Sequence, residues 1–140
     1  MITLSAKTGS GKSTIEKEIV KLGFNKIISC TTRTIRDGEI NDVDYHFISN
    51  EEFDRRVENN EFAEYSTYSG GRKYGILKSE CTDNSVVVLT PSGKRILERN
   101  KDLNIFSVYI GSDLKDRCLG FISRQNTFTD SDLMELFRRN

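Results

Sequence analysis

The first fourteen residues, MITLSAKTGSGKST, limit the possible folds more than any other stretch of the chain. Ile2 and Leu4 alternate with polar residues as a short strand does, and Ile15, Ile19 and Leu22 follow at the spacing of one helix face. Between them lies a glycine-bearing turn ending in Gly11-Lys12-Ser13. Strand, glycine turn and helix in that order make a phosphate cradle. Glycines let successive backbone N–H groups converge on one anion, and the helix N-terminus adds positive field at the same point. Ala6, Lys7, Thr8, Gly9, Ser10, Gly11, Lys12, Ser13 and Thr14 form the expected cradle, with the Lys12 ammonium reaching outer phosphates and the Ser13 hydroxyl as the expected ligand of Mg²⁺.

A chain of 140 residues suits one domain, 1–140, with a real core. Its 21 basic and 21 acidic residues cancel, so no broad field attracts nucleic acid or an anionic membrane, and any basic site must be local. No apolar run approaches membrane-spanning length, and the N-terminus enters a strand without a leader profile. Cys30, Cys81 and Cys118 are odd in number and widely spaced, which predicts free thiols and a cytoplasmic protein.

Along the chain, residues 26–30 read as a second strand, 31–44 as an exposed loop and 45–49 as a strand. Asn50 is the expected cap of a short helix that buries Phe53 and Val57. Residues 62–68 and 73–77 read as strands reversed at Gly70-Gly71, while 85–90 (SVVVLT) is the β-branched run of a parallel strand buried on both faces. Pro91 suits the first turn of the next helix, which carries Ile96 and Leu97. A strand at 104–110, a helix capped by Ser112 and a last helix starting near 129–132 complete the reading. The expected architecture is α/β: a three-layer core with a parallel sheet, a small mixed or antiparallel insertion and a helical lid. The expected divisions are a core of 1–32 and 79–111, an insertion of 33–78 and a lid region of 112–140.

Residues 29–47 read SCTTRTIRDGEINDVDYHF, and 59–75 read NNEFAEYSTYSGGRKYG. Here the chain resembles the guanylate kinases, which carry a similar TTR-x-x-R-x-GE-x-x-x-x-DY-x-F segment, then EF-x-E and a YG turn, downstream of a phosphate loop. The resemblance covers residues 2–75 with few gaps and continues more weakly to the end. It implies a P-loop NTPase-type fold and transfer of the ATP γ-phosphoryl group to GMP or dGMP, with ATP and Mg²⁺ required. It assigns Arg33, Arg36, Tyr45 and Tyr74 to the GMP phosphate and Ser29 and Glu64 to guanine, with Glu39 and Gly75 in the same subsite. The chemistry agrees. Paired arginines clamp a phosphate bidentately, and the Glu64 carboxylate matches the adjacent N1–H and exocyclic amine of guanine. In the lid, Arg117, Arg124 and either Arg138 or Arg139 would close over the transferring group. His46 is expected to be structural, and Tyr65 and Tyr68 to be packing or rim residues. A monomer or homodimer acting on small molecules, without nucleic acid or membrane, completes the implication.

The chain departs from the family pattern in several places. Ala6 and Lys7 stand where the family loop usually has Gly and Pro. Ile76 follows the YG turn where Ser or Thr usually touches the base, which shifts selectivity toward Ser29 and Glu64. Thr90 replaces a customary Asp. Residues 79–84 are too few for a helix the family has there, and the chain stops at Asn140, ahead of a further strand and helix, predicting an unpaired sheet edge and a half-built adenine pocket. Two alternatives therefore stay open: a guanylate-kinase-like binding module with little or no catalysis, and a kinase of another nucleoside monophosphate.

Overall fold

Two four-stranded sheets form the frame of the computed structural model, which describes residues 1–7, 9–68, 70–123 and 134. The first sheet is parallel throughout, in the order β2-β7-β1-β8, from β1 (Ile2–Ala6), β2 (Asn25–Lys26), β7 (Ser85–Leu89) and β8 (Phe106–Ile110). The second is mixed, in the order β4-β3-β6-β5, from β3 (Cys30–Thr31), β4 (His46–Phe47), β5 (Phe62–Thr67) and β6 (Lys73–Leu77). Its β3–β4 pair is parallel, and its other two pairings are antiparallel. The helices are α1 (Lys12–Lys21), α2 (Asn50–Glu58), α3 (Pro91–Leu97) and α4 (Leu114–Ile122). The expected α/β class with a parallel sheet and a mixed second sheet is the one observed.

The central strands are buried as their composition demands. Leu4 and Val86 are sealed from solvent, and Val87, Leu89 and Leu97 pack with Met1 and Ile27. Ile76 of β6 joins this same cluster, with Ala63 of β5 against it, so the second sheet is anchored in the core of the first. A separate cluster lies beneath α2, where the Phe53 and Phe62 rings stack at 4.5 Å between centroids, with Cys30 beside them. Gly75 is required there, since a methyl group would stand 2.8 Å from the Phe62 ring.

Several local expectations change. The strand expected over 26–30 is two: Asn25–Lys26 pairs with β7, and Cys30–Thr31 pairs with β4 and β6. The chain crosses from one sheet to the other between them, a path that β-propensity does not encode. The strand expected at 45–49 shortens to His46–Phe47. The cap of α2 is Ser49, not Asn50. Ser49 is extended and its hydroxyl accepts from the Glu52 amide at 3.1 Å, which leaves Asn50 already helical. At α4 the Asp113 carboxylate accepts from the Asp116 amide at 2.8 Å, the cap geometry expected of Ser112. Along α1, Ile19 is half-buried while Ile15 and Leu22 are exposed. Leu22 lies past the last helical turn, where Gly23 (φ 98°) swings the chain toward β2.

Pro91 opens α3 as expected, capped by the Thr90 hydroxyl on the Gly93 amide at 3.2 Å. Residues 78–80 form a single 3₁₀ turn before β7. Among the described residues β8 is an edge strand, with Phe106 and Tyr109 exposed, and no helix is long and apolar enough to cross a membrane. The cysteines are free, and burial pushes the Cys30 thiol up to about 11. The expected helix near 129–132 lies outside the described residues.

Candidate active site

The glycine turn after β1 is built by backbone geometry. Gly9 (φ 84°) and Gly11 (φ 77°) occupy the left-handed region, which costs a residue with a Cβ about 1 kcal/mol or more. Gly9 has a second reason to be glycine, because a methyl group there would meet the Arg117 carbonyl of α4 at less than contact distance. From this turn α1 starts at Lys12, with the Thr14 and Ile15 amides donating to the Gly11 carbonyl at 3.0 and 3.1 Å. The Lys12 ammonium donates to the carbonyls of Ala6 at 3.0 Å and Lys7 at 2.9 Å, which lays it along the rim of the turn. Ser13 and Thr14 follow in the first helical turn. Main-chain amides at a glycine turn and helix start, a lysine across them and a hydroxyl one residue on match the donor set that a triphosphate and its metal ion call for. Ser112 closes the far side, donating its hydroxyl to that of Ser10 at 2.9 Å.

Facing the turn, a cleft of about 730 Å³ runs from Ala6 and Lys12 to the second sheet. Ser29, Arg33, Arg36, Glu39, Tyr45, Glu64, Tyr74 and Gly75 all line it. Residues scattered over 29–75 thus meet Lys12 in one space. Arg33 is the most constrained of them. Its guanidinium donates to both oxygens of Glu39 at 2.7 and 2.8 Å and to the Thr34 carbonyl at 2.8 Å. It also stands 5.4 Å from the ring centroids of Tyr45 and Phe47. The hydrogen bond to Glu39 holds the Arg33 pKa further up, and the same bond holds the Glu39 carboxyl below its usual range. Glu39 also accepts from the Arg36 amide at 2.8 Å, so one carboxylate fixes the loop carrying both arginines.

Tyr45 and Tyr74 meet edge to face at 6.0 Å, and burial raises the Tyr45 phenol above its ordinary value. Glu64 is only 6% exposed; burial pushes its carboxyl up, while the Ser66 hydroxyl, donating at 2.9 Å, offsets part of that rise.

Sequence reasoning placed Tyr68 at the rim and did not single out Arg72. Both line the cleft, as do Val88, Leu89 and Pro91. The Tyr68 hydroxyl lies 3.1 Å from that of Thr90, and its ring stands edge-on to Tyr74 at 5.4 Å. The signal for both was the Gly70-Gly71 reversal already read from the sequence, since it brings Tyr68 and Arg72 on its two flanks to the cleft. Thr90 lines the cleft at the end of β7, and Ile76 points into the core instead, 1% exposed. Arg117 is buried, and its Nε donates to the Asp113 carbonyl at 3.3 Å; it is not among the cleft's lining residues. Thr8, Arg124, Arg138 and Arg139 lie outside the described residues. His46 lies away from the cleft, its ring nitrogens 2.6 Å from Asp42 Oδ1 and 2.9 Å from Glu80 Oε1.

The guanylate kinase family model matches residues 1–131. Among curated relatives, a guanylate kinase of Fusobacterium nucleatum subsp. nucleatum is 46% identical over 81 residues, covering 57% of this chain and 43% of that protein. One from Mycoplasmopsis pulmonis is 38% identical over 119 residues, covering 76% of this chain and 59% of its own. The chain therefore spans about half the length of the curated relatives it matches. The crystal structure of guanylate kinase from Anaplasma phagocytophilum superposes with a TM-score of 0.63 at 23% identity, covering 99% of this chain and 80% of that one, and so shares the fold.

Proposed function

We propose that this chain, which belongs to the guanylate kinase family, transfers the γ-phosphoryl group of ATP to GMP or dGMP, yielding ADP and GDP or dGDP. The observation that carries this reading is the single cleft in which the Lys12 turn faces Arg33, Arg36, Tyr45 and Tyr74. A phosphoryl group passing between two nucleotides needs two anion sites open to each other, and little covalent chemistry from the protein.

In this reading residues 6–14 hold the ATP phosphates through main-chain amides, and Lys12 swings from its two carbonyls to the outer phosphates. The chemistry of the donor set fits Mg²⁺ at the Ser13 hydroxyl, where the ion would neutralise charge shared by the β- and γ-oxygens. Arg36, the Tyr45 and Tyr74 phenols and the outer edge of Arg33 orient the acceptor phosphate for in-line attack. Glu39 serves by holding Arg33 and the Arg36 amide in place. Ser29 and Glu64 read the base, Glu64 through adjacent donors of guanine. Residues 33–78 act as the mononucleotide-binding part, 1–32 and 79–111 as the core and 112–140 as the lid. Arg117, Arg124 and Arg138 or Arg139 belong to that lid in the proposal. The setting is cytoplasmic, with small molecules as the partners.

A coupled assay with GMP, dGMP, AMP and UMP in the presence of Mg-ATP tests the reading. Turnover confined to the guanine nucleotides is the expected result. Turnover of AMP or UMP would instead support a shifted base site, a reading favoured by Ile76 lying in the core. GMP binding without turnover would leave a binding module.

A further inference from the structure

Two neighbours hold the Glu64 carboxylate from different directions. Ser66 lies two residues on, hence on the same side of β5, and donates its hydroxyl to Oε1 at 2.9 Å. Gly93, buried in the first turn of α3, lies against the same oxygen: a methyl group there would stand 2.9 Å from Oε1 and 3.2 Å from Cδ. Gly93 does not have the positive φ that calls for glycine, and a helical position otherwise favours alanine. The space that glycine leaves is occupied by the carboxylate. Oε2 receives no hydrogen bond from the described residues, yet it is not sealed from solvent, so it opens onto the cleft.

Resting on the guanylate kinase reading above, we propose that Ser66 and Gly93 are positioning residues which set Glu64 to distinguish a 2-amino-6-oxopurine from the same ring without the amine. With Ser66 occupying one lone pair of Oε1, Oε2 and the outer lone pair of Oε1 remain for two parallel N–H donors. Guanine supplies two at N1 and N2, whereas hypoxanthine supplies only N1–H. A carboxylate free to rotate, or pushed aside by a methyl group, loses the two-point match, and with it most of the preference for GMP over IMP. The Ser66 hydrogen bond also favours the ionised carboxyl against the opposing effect of burial.

The test is steady-state kinetics with GMP and with IMP at saturating Mg-ATP, for the wild type, Ser66→Ala and Gly93→Ala, and for both substitutions in a Glu64→Ala background. Each single variant should raise the KM for GMP about ten-fold, with a smaller change in kcat, and should narrow the GMP-over-IMP preference by a similar factor. In the Glu64→Ala background neither substitution should add more than about two-fold, because its route of action is gone. Undiminished preference for GMP in Ser66→Ala overturns the proposal, and so does an equal further loss without Glu64. Ser66 is not part of α3, so its variant decides the matter if Gly93→Ala does not fold. A wild-type chain that turns over neither substrate defeats the kinase reading itself and this inference with it, a pattern distinct from an active enzyme whose variants keep their selectivity.

Discussion

The two ends of the cleft present their hydrogen-bond donors by different physics. At the Lys12 end the donors are main-chain amides, arranged by two left-handed glycines and the start of one helix. At the other end they are side chains drawn from β6 and from the loop between β3 and β4, held in place by one another. Arg33 lies on Glu39 and against Tyr45 and Phe47, and Tyr45 and Tyr74 meet edge to face. A cradle of amides depends on a few consecutive φ angles and survives changes around it, such as Ala6 and Lys7. A cradle of side chains depends on every partner and on the strands beneath.

The largest effect should come from Lys12→Ala, which should cut phosphoryl transfer about 1,000-fold while GMP affinity, read by calorimetry, stays nearly intact. Full turnover by this variant would remove Lys12 from the chemistry. Phe53→Ala should damage the opposite wall only. It deletes the ring stacked on Phe62 beneath β5 and β6, so a loss of about 3–4 kcal/mol in urea unfolding should accompany weaker GMP binding. An unfolding curve unchanged by that truncation would show that the second sheet does not need its own core.

Glu39→Ala sharpens the contrast further. It strands the Arg33 guanidinium, whose side chain is 8% exposed, at a cost of about 2 kcal/mol; Glu39 keeps 21% of its own side chain in contact with water, which places this below a fully buried pair. GMP affinity should fall along with stability. If only affinity falls, Glu39 contacts the substrate rather than its neighbour.

The smallest effect is a pH dependence at His46, the one histidine of the chain. Burial opposes its charge, but the hydrogen bonds to Asp42 and Glu80 outweigh burial and raise its pKa above 6.5. Neutral imidazole has one N–H for two carboxylate neighbours, so the charged form is the one that fits. A folded pKa above the unfolded one contributes stability that is complete below about pH 6.5 and is lost as pH rises through the folded value. The stability gap between wild type and His46→Gln, followed by thermal unfolding, should therefore close toward alkaline pH; a gap that widens there would refute the pairing.

Much of this was legible in order along the chain. The opening strand–glycine–helix unit, the buried SVVVLT run and the Gly70-Gly71 hairpin each declare themselves through local patterning, and the structure has all three. Residues 26–30 resisted because their two short strands serve different sheets. The caps at Ser49 and Asp113 were each displaced by one residue from expectation, because neighbouring polar residues compete for one amide and only the local backbone angles choose between them. Candidate site residues could be named individually, but Glu39 as a brace for Arg33 depends on how their shared loop folds back on itself, and Gly93 as a seat for Glu64 is a contact between distant segments.

Periodicity, glycine placement and the order of motifs, all readable from residue types alone, were enough to determine an α/β chain with a glycine turn between its first strand and helix and a polar, arginine-bearing segment after it. Only the folded arrangement decided that these face one another across a shared cleft, that Ile76 joins the core rather than the cleft, and that Tyr68 reaches Thr90. The division follows from range. Backbone conformation answers to the nearest few residues, whereas the meeting of side chains from distant strands answers to how the whole core packs.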